Sequence, residues 1–345
     1  MMPANNPLLT AVAGQTAMVI ETNNLRGGTG GLAAVVRSLE RLFALLDQQS
    51  LPLKNLHEVI VTHDGIDPAE CERLSRAQDF PLHFVLLTAD TGYYNAKNAG
   101  FEASSPTCRY VVFADSDCIP DPQWLAQMLL PLVDSPDLPV VAGRTSYRPS
   151  VLGAALSTID FKYYPNPRYP NSTRNFYANN VVFQREVFAQ FAYQPLQKTY
   201  RGHCQVFGLR LEQSGVEMRY VPAAHTVHRI PDSLGEIVQL RWMRGQDACS
   251  LTPFLVRRHL PDAWQWFART GPIAPLTVLF CRLYFSFGAL NHQDLPPLKG
   301  LRRLTAYGLI LAVSGIDMAG ALVRGLGWST LDRPDADNVA LSYHR

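Results

Sequence analysis

Short apolar runs and amphipathic stretches alternate along the first 145 residues. TAMVIET (16–22), LHEVIVT (56–62), HFVLLTA (83–89), YVVFA (110–114) and LPVVAG (138–143) read as five strands. Between the first two, GLAAVVRSLERLFALLDQ (31–48) sets Leu32, Val35, Val36, Leu39, Leu42, Phe43 and Leu46 on one helical face. A further helix is predicted near 94–103. Asp121-Pro122 then supplies an N-cap and a first-turn proline for a helix carrying Trp124, Leu125 and Met128. Alternating elements with apolar strands predict an α/β fold, a mostly parallel sheet with helices on both faces. Such sheets bind ligands beyond the carboxyl ends of their strands. Asp115 and Asp117 stand at such an end, directly after YVVFA.

The pattern then changes. Residues 145–235 lose the regular alternation and are rich in Tyr, Asn and Pro, as in YYPNPRYPNSTRNFYANN, before a helix-like REVFAQF. Beyond 250 come two long apolar runs, IAPLTVLFCRLYFSFGAL (273–290) and LTAYGLILAVSGIDMAGALV (304–323). A bilayer is crossed by about 20 such residues. The expected organisation is therefore a unit over 1–250 that carries the chemistry and a helical, membrane-associated segment over 251–345. Each run holds one charge, Arg282 or Asp317. A charge at the bilayer centre costs about 2.5–3.5 kcal/mol on insertion scales. The first run is thus expected to be interfacial or re-entrant, and the second is the transmembrane candidate. Lys299, Arg302 and Arg303 before it favour a cytoplasmic start. Two buried helices of a soluble protein are the alternative.

Composition agrees with a membrane or partner surface. Charged residues make up 17% of the 345-residue chain, against roughly 25% in an average soluble protein. A net charge of +2 removes the electrostatic case for nucleic acid, which wants a clustered basic face. The six cysteines are scattered, with no zinc spacing, and suit a reducing compartment. MMPANNPLLTAVAG has no basic leader and no long apolar core, so the main unit is expected on the cytoplasmic face of a membrane.

Two arrangements near the strand ends carry chemistry. The loop ETNNLRGGTGGLAAVV contains Gly28-x-Gly30-x-x-Ala33, a match to the dinucleotide fingerprint and to an oxidoreductase. Gly28, however, comes six residues after Thr22. The next acid at a strand end is Asp64, beyond the spacing of about 20 residues that the fingerprint requires. The second arrangement uses more residues. Asp64 closes the second strand in VTHDG and Asp115 closes the fourth. Adjacent parallel strands bring both to one sheet edge, where a carboxylate accepts from a uracil N–H or a ribose hydroxyl. Asp117 can bind Mg²⁺ or Mn²⁺, which take hard oxygen ligands. A metal there neutralises the charge that grows on a departing diphosphate.

With these residues in this order, the chain resembles glycosyltransferase family 2, with its GT-A fold, over about residues 15–250. VIETNN is similar to the family's first strand, and THDG to its D-D-G segment with His63 for the first Asp. GYYNAKNAG resembles G-x-x-x-A-R-N-x-G with Lys97 for Arg, and FADSDCIPDPQWL resembles the D-x-D segment. YANNVVFQREVF, which includes Asn180, resembles the segment lining the acceptor side. LRLEQSGVEMRYVPAAHTVHR resembles R-L-x-x-x-G…Y-V-P-x-A-x-x-x-H, and its last histidine is His228. The resemblance implies an inverting transfer of one sugar from a nucleotide diphosphate, UDP-linked, to a glycan or lipid-linked acceptor. It implies nucleoside contacts from Thr22, Asn24, Asp64 and Asp115, Lys97 near the phosphates, and Mn²⁺ or Mg²⁺ on Asp117 and His228.

The chain departs from the family twice. The family's acidic general base falls at His203-Cys204. Three readings stand: His203 takes the acceptor proton, since a free imidazole has a pKa near about 6.5; or the acceptor is a polyprenyl phosphate that needs no base; or the protein binds the nucleotide sugar without turnover. The second departure is in LRWMRG, which keeps Arg241-Trp242 of the processive Q-x-x-R-W but has Val238 for its glutamine. Arg241 and Arg244 remain candidates for neutralising a diphosphate.

Overall fold

The computed structural model describes residues 6–22, 31–196, 199, 201–271, 273–292 and 298–327. Among these, eight strands form one sheet: β1 (Thr16–Glu21), β2 (Glu58–His63), β3 (Leu82–Leu86), β4 (Tyr110–Asp115), β5 (Ile119–Pro120), β6 (Val140–Tyr147), β7 (Asn180–Gln184) and β8 (Met218–His228). Their order is β3-β2-β1-β4-β7-β6-β8-β5. The first four in that order are parallel neighbours. The strand β7 enters antiparallel between β4 and β6. The sheet is therefore mixed and mostly parallel, as its apolar strands predict.

Period-two alternation divides the central strands between two cores. Met18, Ile20, Val59, Val61, Val112 and Ala114 face one layer. That layer is made by α1 (Pro7–Ala13), α2 (Gly31–Leu46) and α5 (Trp124–Asp134), with α3 (Pro68–Arg76) at the edge. Val19, Ile60, Val111 and Phe113 face the other, against Phe176, Phe188 and Phe207. Here lie α4 (Tyr93–Ala103), α7 (Arg185–Phe191) and α8 (His203–Gln213). A local signal sets the start of α3. Asp67 caps α3 by accepting from the Ala69 N–H, with Pro68 in the first turn.

The remaining helices, α6 (Val151–Asp160), α9 (Leu234–His259), α10 (Ile273–His292) and α11 (Gly300–Gly325), pack together, with α6 against β6. Leu156 and Ile159 of α6 meet Ala306, Ile310 and Val313 of α11. One continuous helix, α9, runs across residue 250. It crosses α11 backbone to backbone: a Cβ on Gly245 would strike the Asp317 carbonyl, and one on Gly320 the Trp242 carbonyl. Beside this crossing the Arg241 Nε donates to Asp317 Oδ1 at 2.9 Å, and its Nη2 to Asp317 Oδ2. The charge of the second apolar run is thus turned into the protein.

Candidate active site

Three neighbouring parallel strands end together. The β1–β2 register pairs Glu21 with Thr62, and the β1–β4 register pairs Glu21 with Asp115. Thr22, Asp64 and Asp115 therefore share one edge of the sheet. The Thr22 hydroxyl donates to the Thr62 carbonyl at 2.7 Å and is buried. Asn24, Gly28 and Gly30 lie outside the described residues. Glu21, fully buried at the same edge, was not singled out by motif.

Asp115 is the most tightly held carboxylate here. Lys97 Nζ, wholly buried on α4, donates to its Oδ1 at 2.6 Å, and the Tyr93 hydroxyl donates to its Oδ2 at 2.8 Å. Lys97 is therefore the counter-ion under Asp115. The turn after β4 is fixed from both sides: the Ser116 N–H donates to the Glu21 carbonyl, and the Ser38 hydroxyl of α2 donates to the Ser116 carbonyl.

His228 reaches this turn through strand pairing. The short β5 pairs Ile119 with Val227 of β8, so the residue after Val227 falls beside Asp117. His228 Nε2 stands 3.7 Å from Asp117 Oδ2. Its Nδ1 faces the Arg229 carbonyl at 2.9 Å, which accepts only, so Nδ1 carries the proton and Nε2 offers its lone pair. Ligand atoms of Asp115, Asp117, Cys118 and His228 lie within 4.8 Å of one another. Burial first, then Asp117, pushes the Cys118 thiol well up, and a soft sulfur ligand is a poor match for a hard cation. The two aspartates and the imidazole could hold a metal ion, and this hard oxygen and nitrogen set suits Mn²⁺ or Mg²⁺.

A cleft opens beside this cluster. Its walls include Tyr93, Asp115, Asn179 and His228, together with Arg201, Gln205, Arg244, Asp247 and Arg282. Of three other predicted residues, two sit elsewhere. Asn180 is a structural clamp: its Oδ1 accepts from the Trp124 indole and its Nδ2 donates to the Arg144 and Ala224 carbonyls. The neighbouring Asn179 takes the wall position. Arg241 is buried between Asp160 and Asp317, off the cleft wall. Arg244 does line the cleft and pairs with Asp160.

His203 opens α8 but is packed behind the wall, stacked on Tyr94 with ring centroids 4.1 Å apart. Burial, then the charge of Arg201, pushes its pKa down to about 3. So weak a proton acceptor, turned from the cleft, is a poor general base at neutral pH.

The family model Glycosyl transferase family 2 matches residues 34–191. No curated protein matches the sequence. Among solved structures, the fold is similar to mannosyltransferase PcManGT from Pyrobaculum calidifontis, solved with GDP-Man and Mn2+. The TM-score is 0.56 at 16% identity, over 90% of this chain and 87% of that one. S. aureus TarS 1-349, solved with UDP-GlcNAc, aligns with a TM-score of 0.45 at 11% identity, over 91% of each chain. Residues 34–191 are a glycosyl transferase family 2 domain, and the chain that carries them is a glycosyltransferase with a GT-A-type fold.

Proposed function

We propose that the protein transfers one sugar, with inversion, from a nucleoside diphosphate to a hydroxyl of a glycan or lipid-linked acceptor at a membrane surface. The observation that carries this reading is the cluster of Asp115, Asp117 and His228 at the carboxyl end of β4, opening into one cleft. Asp64, Thr22 and Asp115 are suited to the nucleoside, because they stand on adjacent strand ends. Asp117 and His228 would hold Mn²⁺ or Mg²⁺, which when bound neutralises charge on the leaving diphosphate. Arg201 and Arg244 add positive charge across the cleft.

A panel of UDP- and GDP-sugars, with and without Mn²⁺, tests this by release of free nucleoside diphosphate. Both bases present a ring N–H to a carboxylate, so the panel also decides between them. Metal-dependent release from one donor is expected. Tight nucleotide binding with no release from any donor would support the binding protein instead, and preference for NAD(P) would support the oxidoreductase.

The membrane reading rests on the outer face of the C-terminal helices. Ile273, Phe280 and Tyr284 of α10 and Leu304, Leu311 and Leu322 of α11 are exposed, with Trp264 and Trp266 in the 3-10 turn between α9 and α10. Arg257, Arg269, Lys299, Arg302 and Arg303, at the ends of these elements, are exposed too. The inner faces pack on α6 and α9, so these helices suit lying on a bilayer more than crossing it. The purified chain is expected to float with anionic phosphatidylglycerol vesicles. Replacing Trp264 and Trp266 by serine should weaken that binding about tenfold or more. A chain that stays wholly in the aqueous fraction would remove the membrane from the proposal.

A further inference from the structure

The family's acidic base is missing from the start of α8, and His203 does not face the cleft. We infer that Asp247, on α9, is the general base for the acceptor hydroxyl. This rests on the transferase reading above and names its proton acceptor.

The carboxylates on the cleft wall are Asp115, Asp160 and Asp247 among the described residues. Asp115 is committed to Lys97 and Tyr93 on the donor side. Asp160 receives Arg241 and Arg244 on Oδ1 and the Tyr147 hydroxyl on Oδ2. Burial alone would raise its carboxyl, but Arg244 and Arg241 outweigh that and hold it at about 2. It is a poor proton acceptor. Asp247 remains.

Its position is the stronger argument. The Arg201 backbone N–H donates to Asp247 Oδ2 at 3.0 Å. That anchors the carboxylate at the segment leading into α8, two residues before His203, where the family's own acid is expected. A carboxylate from α9 thus reaches the segment that leads into α8. Gly202 holds the two helices in register: with φ at 115° it sits against Leu251 of α9, and a Cβ there would meet the Leu251 side chain. Gly245 fixes α9 from its other side, against α11. Asp247 is thus braced between the start of α8 and the membrane-facing helices.

The step balances simply. The acceptor O–H proton passes to the Asp247 carboxylate. The acceptor oxygen forms a bond to the anomeric carbon of the sugar, and the bond from that carbon to the diphosphate oxygen breaks. The electron pair leaves with the nucleoside diphosphate.

The test measures nucleoside diphosphate release from the donor found in the panel, with water as acceptor. Water is itself a hydroxyl that must lose a proton. Asp247→Asn is expected to lower kcat at least about a hundredfold, with the affinity for nucleoside diphosphate and Mn²⁺ unchanged. Asn keeps an oxygen for the Arg201 N–H, so a purely structural role predicts near wild-type turnover, and that result would overturn the assignment. Asp247→Glu should recover part of the rate by restoring a carboxylate. A larger loss in His203→Gln than in Asp247→Asn would return the role to His203. Absence of metal-dependent release in the wild type would defeat the transferase reading itself, and the base with it.

Discussion

An Asp117→Asn variant is expected to lose metal-dependent turnover by about a thousandfold or more while folding normally. Asp117 is nearly fully buried, and its partner across the site is the His228 imidazole, 3.7 Å away. Asparagine preserves the volume and one oxygen but removes the charge, and neutral amide oxygen is a far weaker ligand for Mn²⁺ or Mg²⁺. The turn should survive, because its backbone is held by Glu21 and by Ser38. The readout is the Mn²⁺ dependence of nucleoside diphosphate release, together with Mn²⁺-dependent nucleotide binding by calorimetry. Loss of both, with an unchanged melting temperature, is the expected pair. Full turnover in the variant would remove Asp117 from the metal and leave Asp115 and His228 to hold it.

Much of this site is written locally. An apolar run of buried strand followed by D-x-D needs no distant information, and β4 appears where its sequence places it. The same holds for Asp64 at the end of β2. The start of α5 differs: the helix begins at Trp124 with Gln123, not Asp121, in the cap position, so the Asp121-Pro122 signal falls two residues early. What was not legible depends on pairing between remote segments. NVVFQ became a central antiparallel strand because β4 and β6 each offered it an open edge. Asn180 was turned into a clamp by Trp124, 56 residues away. Lys97 resembled a phosphate ligand by motif, and its burial beneath Asp115 depends on how α4 lies on the sheet. Asp247 sits in WMRGQDAC, which by pattern is an ordinary helical stretch. One signal did point inward: a lone charge in an apolar run needs a partner or a cavity. Asp317 found Arg241, and Arg282 found the cleft.

Removing that partner should be costly. In Asp317→Ala, Arg241 would keep only Asp160, which it shares with Arg244. Two guanidinium groups, the buried Arg241 and the partly exposed Arg244, would then face one carboxylate. Breaking a buried pair by deleting one member costs about 3–5 kcal/mol, because the other charge is left uncompensated. For a domain of this size that corresponds to a fall in melting temperature on the order of 10 °C. Replacing both members with apolar residues of similar volume, as in Arg241→Met with Asp317→Leu, should recover most of the loss, since Asp160 still has Arg244 and the Tyr147 hydroxyl. The pair of variants also reports on the helices. If α11 left the protein to cross a bilayer, Asp317 would face lipid, and alanine there would stabilise the inserted form instead. Destabilisation by the single variant and recovery by the double one would place α11 against α9 in solution. That contact also braces α9, which carries Arg244 and Asp247 to the cleft, so the single variant should lose activity before it unfolds.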